Sequence, residues 1–227
     1  MFHLLLLKVK RYDPSFEYLL GKRLGDIVLS LIALVLFSPI MLATAICIKA
    51  EDHGPIIYKQ RRLTKDGKEF DIYKFRSMRT DAEKDGIARL SSGDEDDRIT
   101  KVGHFIRRVR IDEMPQLYNI LKGDLAIVGP RAERPELAAE YEKELPEFGL
   151  RLQVKAGLTG YAQVYGKYNT TPYDKLLMDL MYIANANILE DIRIIFATVK
   201  ILFMAESTEG VGEEQAKTET IAGGTQE

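Results

Sequence analysis

The stretch Ile27–Ile48, IVLSLIALVLFSPIMLATAICI, carries no charge over a length that meets the roughly 20-residue criterion for a helix crossing a bilayer. Ser38-Pro39 interrupts it. Proline has no N–H and clashes with the turn before it, so the pair predicts a kinked or broken helix in which Ser38 satisfies a freed carbonyl. Basic residues stand on both sides: Lys8, Lys10, Arg11, Lys22 and Arg23 before the run, and Lys49, Lys59, Arg61, Arg62 and Lys65 after it. A straight span should show a one-sided excess of Lys and Arg, whereas a helix that enters and returns on one face is basic on both flanks. The symmetry is explained by a re-entrant helix, although the pattern alone leaves a kinked signal anchor open. A signal peptide fits less well, because the run is long and lacks a small-residue cleavage site.

Outside this run, 227 residues at 46% hydrophobic suffice for one folding unit with its own core. A net charge of -2 gives no general field for nucleic acid, so any anion site must be local. Cys47 is the single cysteine and lies in the apolar run, which excludes an intramolecular disulfide framework and a cysteine metal cluster. His3, His53 and His104 lack metal-ligand spacing, which leaves hard oxygen ligands as the remaining metal chemistry.

Pro55–Arg62 and Glu69–Phe75 are β-branched and aromatic runs around Lys65-Asp66-Gly67-Lys68, where Asp-Gly supplies the positive φ of a tight turn; they predict a β-hairpin. Thr80–Arg98, acidic and poor in apolar residues, predicts a mobile loop. Helical spacing of Val102, Phe105, Ile106 and Val109, then of Leu117, Ile120 and Leu121, predicts two helices meeting at Asp112–Pro115, the second closed by Gly123. Further helices are expected over Glu133–Glu144, Tyr173–Ala184 and Leu189–Ala205, with an extended segment at Tyr161–Val164. The last helix is apolar enough to be core, to lie in a membrane interface or to join two chains. Glu206–Glu227 reads as a disordered tail.

Asp112-Glu113 follows Arg107-Arg108-x-Arg110 directly. Arginines neutralise phosphates as planar, bidentate donors. One carboxylate can hold a divalent cation such as Mg2+ while the other attacks phosphorus. Alone, the pair equally suits a helix start that prefers negative charge. The downstream Val128-Gly129-Pro130-Arg131 turn adds a second cation, which reads either as a phosphate clamp or as an ordinary surface arginine.

Lys22-Arg23-x-x-Asp26, Ser38-Pro39, Tyr73-Lys74-Phe75-Arg76-Ser77-Met78, Asp112-Glu113-x-Pro115-Gln116-Leu117 and Val128-Gly129-Pro130-Arg131 occur in this order. Together they resemble the bacterial sugar transferase family of monotopic polyprenyl-phosphate phosphoglycosyl transferases, in its small form without the N-terminal multi-span extension. The resemblance covers roughly residues 22–203. It implies transfer of a sugar 1-phosphate from a UDP-sugar to polyprenyl (undecaprenyl) phosphate with release of UMP, through a covalent aspartyl-phosphosugar, at the start of membrane glycoconjugate, exopolysaccharide or capsule synthesis. It also implies Mg2+ as cofactor, Asp112 as nucleophile, Glu113 as metal ligand, Arg107 and Arg131 as phosphate binders, and an accessory role for Asp179. Departures from the family's habit are Ala132 for proline, Ala156 for proline and Tyr161 for tryptophan. None removes a charge.

The expected architecture is α+β. A re-entrant membrane helix broken at Ser38-Pro39 lies within residues 1–50, a mostly helical cytosolic catalytic domain with the hairpin and membrane-interface helices occupies 51–205, and the tail is 206–227. The expected setting is the cytosolic face of a bacterial inner membrane, with membrane lipid, UDP-sugar and polyprenyl phosphate as partners and no nucleic acid. The reading from another class is a non-catalytic membrane scaffold of a polysaccharide assembly complex.

Overall fold

The structure, a computed structural model, describes residues 12–82, 96–166 and 170–203. Most of the expected mobile loop and the whole expected tail lie outside the described residues. The first helix, α1 (Phe16–Asp52), starts where the Ser15 hydroxyl accepts from the Tyr18 N–H at 3.2 Å, and ends with His53 in the left-handed region. Pro39 lies inside it. The carbonyl that loses its donor to proline is Val35 O, and the Ser38 hydroxyl donates to that oxygen at 2.8 Å. The helix therefore continues as one element through Ser38-Pro39, where the sequence predicts a break.

At 37 residues α1 is about 55 Å long, well beyond the ~30 Å hydrocarbon core of a bilayer. It is not a core helix: 11% of its most apolar window is buried. Its buried residues, Tyr18, Asp26, Ser30, Thr44 and Ile48, fall at helical spacing on one side, while Leu24, Val28, Ile32, Leu36, Ile40 and Ile46 are exposed. So large an exposed apolar surface belongs in lipid, and α1 is a membrane-associating helix.

Both ends of α1 are tied to the rest of the chain by polar bonds. Near its start, Lys22 Nζ pairs with Asp191 at 2.8 Å, Arg23 donates to the Ile120 and Leu121 carbonyls at 2.6 and 2.7 Å, and Asp26 accepts from the Ile127 N–H at 3.1 Å. At its far end, Asp52 takes both guanidinium nitrogens of Arg76, and Glu51 accepts from the Lys101 N–H at 2.8 Å.

After α1 come β1 (Ile57–Leu63) and β2 (Glu69–Phe75), antiparallel with Tyr58 opposite Lys74, Gln60 opposite Ile72 and Arg62 opposite Phe70. Asp66 and Gly67 hold φ of 59° and 71°, as the Asp-Gly pair predicts. Helix α2 (Lys101–Arg108) and α3 (Gln116–Lys122) flank a one-turn 3-10 helix, Ile111–Glu113, and Gly123 at φ 95° ends α3. The three-residue strand β3 (Ala126–Val128) pairs in parallel with β4 (Gly157–Thr159), and between them lie α4 (Pro135–Glu144) and a 3-10 segment, Pro146–Gln153. Helices α5 (Tyr161–Tyr165), α6 (Pro172–Asn185) and α7 (Ile188–Phe203) complete the described chain.

Tyr161–Val164 is thus helical, not extended. The turn sets the Tyr161 ring edge-on to Tyr165 at 5.4 Å and lets the Tyr161 hydroxyl donate to Glu190 at 2.6 Å, which outweighs the β propensity of the residues.

Three apolar clusters fix the elements around the site. Phe148, Leu176, Leu180, Tyr182 and Ile194 join α6 and α7 beneath β3. Phe70, Ile72, Leu117, Ile120 and Leu125 bind the hairpin to α3, with Leu34 of α1 packed on them. Ile48, Phe75 and Ile106 join the end of α1 to β2 and α2.

Candidate active site

Asp112 and Glu113 sit in the 3-10 turn between α2 and α3. Arg110 adopts the left-handed conformation (φ 58°, ψ 17°) just before it, an uncommon state for a side chain of this size, and one that turns the chain sharply out of α2. The Glu113 N–H then closes on the Arg110 carbonyl at 3.4 Å, and Met114 N–H on Ile111 O at 3.1 Å. The fully buried Asn119 of α3 accepts from the Tyr73 N–H at 3.0 Å and donates to Asp71 O at 2.8 Å. That pair of bonds fixes α3 against β2 and brings Lys74 to the dyad.

Lys74 Nζ lies 2.7 Å from Glu113 Oε1. Burial alone would raise the Glu113 carboxyl, but Lys74, Arg131 and Arg110 together outweigh it and hold the group down at about 2. Asp112, 8% exposed, moves the other way: desolvation first, then the charge of Glu113, raise it from 3.8 to about 6 against the pull of Lys74, Arg107 and Arg110. Neighbouring carboxylates are thereby split into one that is ionised throughout and one that is ionised at neutral pH but poorly solvated.

Glu113, Lys74 and Arg131 line one cleft together with Arg62, Gln116 and Leu158. Arg131 reaches it from the turn after β3. There Gly129 N–H donates to Thr159 O and Gly157 N–H to Pro130 O, both at 2.8 Å. A Cβ on Gly129 would sit 2.4 Å from Lys155 O, and one on Gly157 2.1 Å from Gly129 N, so this close approach requires glycine at both positions. Two arginines pin the turn by its carbonyls: Arg151 donates to Arg131 O at 2.8 Å and Arg62 to Ala132 O at 3.0 Å. The Arg131 guanidinium itself has no hydrogen-bond or ion-pair partner among the described residues.

The residues singled out in the sequence therefore separate. Glu113 and Arg131 share the cleft and Arg131 acts on the Glu113 charge, while Asp112 adjoins Glu113 and Lys74 without being part of the cleft wall. Arg107, at the end of α2, acts on Asp112 but is not part of the cleft wall. Asp179 is 1% exposed on α6 and lies 2.7 Å from Arg151, behind the Arg131 turn and outside the cleft. Neither carboxylate oxygen accepts an aligned hydrogen bond from the Arg151 guanidinium, and desolvation raises the carboxyl to about 6 in spite of that arginine. Ser38 and Pro39 are on α1, apart from the cleft lining.

Sequence reading gave no site role to Lys74, Arg62 or Gln116. A signal was present for the first two: strand alternation places both on the face of Phe70 and Ile72, so each is a cation where a core residue is expected.

Among the described residues no third histidine, cysteine or acidic side chain joins the dyad as a cation cage. The donor set still fits a Mg2+ that keeps water and substrate phosphates as most of its ligands: a hard carboxylate, ionised throughout, whose second oxygen is not taken by Lys74.

A family model described as bacterial sugar transferase matches residues 17–205. The chain is 41% identical over 192 residues to a UDP-N-acetylgalactosamine-undecaprenyl-phosphate N-acetylgalactosaminephosphotransferase of Aeromonas hydrophila, covering 83% of this chain but 45% of that protein. It is 40% identical over 200 residues to the exopolysaccharide production protein PSS of Rhizobium leguminosarum bv. phaseoli, covering 84% and 97%. It is also 47% identical over 140 residues to a Bacillus subtilis protein named as a putative undecaprenyl-phosphate N-acetylgalactosaminyl 1-phosphate transferase, covering 62% and 77%. The chain thus spans under half of the Aeromonas protein and nearly all of the Rhizobium one.

Proposed function

The chain belongs to the bacterial sugar transferase family, and from that premise we propose that it transfers a sugar 1-phosphate from a UDP-sugar to polyprenyl phosphate. The observation that carries the reading is the split dyad beside an unpartnered Arg131: a poorly solvated carboxylate next to one clamped in its ionised form. In the first step an Asp112 oxygen attacks the sugar-bearing phosphorus, the bond to the nucleotide's phosphate breaks, and UMP leaves. In the second, an oxygen of polyprenyl phosphate attacks the same phosphorus, releasing Asp112 and forming a polyprenyl diphosphate sugar.

Removing water from Asp112 raises its basicity and strips the hydration shell that a carboxylate nucleophile must otherwise shed. Arg131 and Lys74 offset charge on the phosphate oxygens as it shifts towards the leaving group. Lys74 also keeps Glu113 ionised and oriented. Glu113 would hold Mg2+, which when bound neutralises charge on the diphosphate.

The membrane arrangement belongs to the same proposal: α1, continuous as a helix, bends at Ser38-Pro39 when embedded, so that it enters and leaves the bilayer on the cytosolic face of the inner membrane with its tip at that pair. Support comes from the polar bonds that tie both ends of α1 to one body. Between Leu34 and Met41 the helix is exposed except at Phe37, so the Ser-Pro region is the part held least. Helix α7 adds an exposed stripe, Leu189, Ile192, Phe196 and Val199, beside α1 where Ile188 meets Gly21, and this suits a helix lying in the interface.

The test is to incubate the purified chain with a UDP-sugar labelled in its sugar-bearing phosphate, without lipid, and to map the label after proteolysis. Label on the peptide containing Asp112, absent from Asp112→Asn, is the expected result. Absence of UMP release across a broad donor panel with Mg2+ and polyprenyl phosphate would overturn the transferase reading in favour of a scaffold.

A further inference from the structure

The hairpin carries a polar chain that the dyad does not use. On the inner face of β1, Arg62 donates to Gln60 Oε1 at 2.6 Å, and Gln60 Nε2 donates to the Tyr58 hydroxyl at 3.1 Å. Arg62 also donates to Ala132 O at 3.0 Å, on the carbonyl next to the one held by Arg151. Its guanidinium is thus fixed on two sides, at the wall of the cleft that Glu113, Lys74 and Arg131 share.

Charge in that cleft does not balance. Three cations, Arg62, Lys74 and Arg131, face one carboxylate, Glu113, which Lys74 already engages. No carboxylate lies within ion-pair distance of Arg62 or of Arg131 among the described residues, and Arg62 Nε is buried without a partner. Burial first, then the charge of Arg131, push Arg62 down to about 10; Arg134 adds to the repulsion, and Glu133 and Tyr58 offset it only in part. Holding a half-buried guanidinium beside a second one is costly unless an anion completes the group. A preorganised fork of this kind matches the oxygens of a phosphate better than a flexible ammonium does.

We infer that Arg62, oriented by Gln60 and Ala132 O, is a phosphate-binding residue that closes the cleft opposite Arg131, so that a phosphate or diphosphate anion is held between two guanidinium forks. The inference deepens the transferase reading and rests on it for the identity of the anion, which is either the donor's diphosphate or the lipid acceptor's phosphate. Gln60 acts as a positioning residue through Arg62, not on the anion directly.

The test uses the full chain in nanodiscs with inorganic pyrophosphate as probe and Mg2+ present, read by isothermal titration. Arg62→Met and Arg62→Lys are compared with Arg61→Met. Arg61 is on the opposite face of the same strand, exposed and paired with Glu69 and Asp71, so its loss should leave binding and basal transfer unchanged. The expected result is binding weakened about tenfold or more in Arg62→Met, since hydrogen bonds to charged groups are worth that much, with a smaller loss in Arg62→Lys. Pyrophosphate binding within twofold of wild type in folded Arg62→Met overturns the inference.

Steady-state kinetics then separate the sources. A raised KM for the UDP-sugar alone assigns Arg62 to the donor's diphosphate, and a raised KM for polyprenyl phosphate alone assigns it to the acceptor. If the wild-type chain binds pyrophosphate through Arg62 but transfers no phosphosugar, the anion site stands and the transferase reading fails. Transfer unaffected by Arg62→Met has the opposite meaning.

Discussion

Asp112 is placed where ionisation opposes folding. Its folded pKa of about 6 lies above the ordinary 3.8, so the contribution of Asp112 to stability is full below 3.8 and is lost as pH rises through about 6. Asp112→Asn carries no such charge. The variant should therefore gain about 1–3 kcal/mol over wild type at pH 7 and almost nothing at pH 4, measured by urea unfolding in detergent. Chemistry needs the ionised form, which gives the wild-type kcat/KM an acid limb near pH 6. Lys74→Met removes a charge that lowers Asp112, so it should move that limb to higher pH as well as reduce the maximal rate. A pH–rate profile of the two proteins checks both statements. The dyad was readable in the sequence as two adjacent carboxylates, but the division between them was not, because Lys74 arrives from a strand 39 positions away.

Elements differ in how far the chain announces them. The hairpin is local, and Asp66-Gly67 alone determines its turn. Strands β3 and β4 are three residues each and meet across a long connection, so no periodicity marks them; what makes them possible is the pair Gly129 and Gly157. The support behind that junction was equally hidden. Arg151, 3% exposed, holds Arg131 O and lies beside Asp179 and Glu133, linking the 3-10 segment, α6 and the Arg131 turn. Arg151→Met would take the ion-pair partner from the buried Asp179 and the partly buried Glu133 and should cost about 3 kcal/mol in equilibrium unfolding. Asp179→Asn should cost about 1 kcal/mol or less, because burial penalises the ionised carboxylate and offsets much of what Arg151 contributes. Both variants should lower kcat/KM through Arg131, Arg151→Met by the larger factor.

For the whole molecule the decisive relation is between α1 and the body beside it. If both ends of α1 face the cytosol, Glu17→Cys and Ala50→Cys, each in a Cys47→Ser background, should react with a membrane-impermeant maleimide in inverted vesicles and in neither case from outside intact spheroplasts. Labelling of the two positions from opposite sides would make α1 a span. The sequence showed the apolar run and its basic flanks; it did not show that Lys22-Arg23-x-x-Asp26 is a set of fasteners, one to α7, one to the end of α3 and one to β3. Those fasteners bear on how the protein can be handled. Trimming the chain at the hairpin to obtain a water-soluble fragment would remove the donors now on the Ile120 and Leu121 carbonyls, leave Asp191 and Arg76 without their counter-ions, and uncover Phe75 and Ile106 where Ile48 had packed. Such a fragment should precipitate, and detergent or nanodiscs should be needed to keep the catalytic half folded as much as to keep the greasy half dissolved.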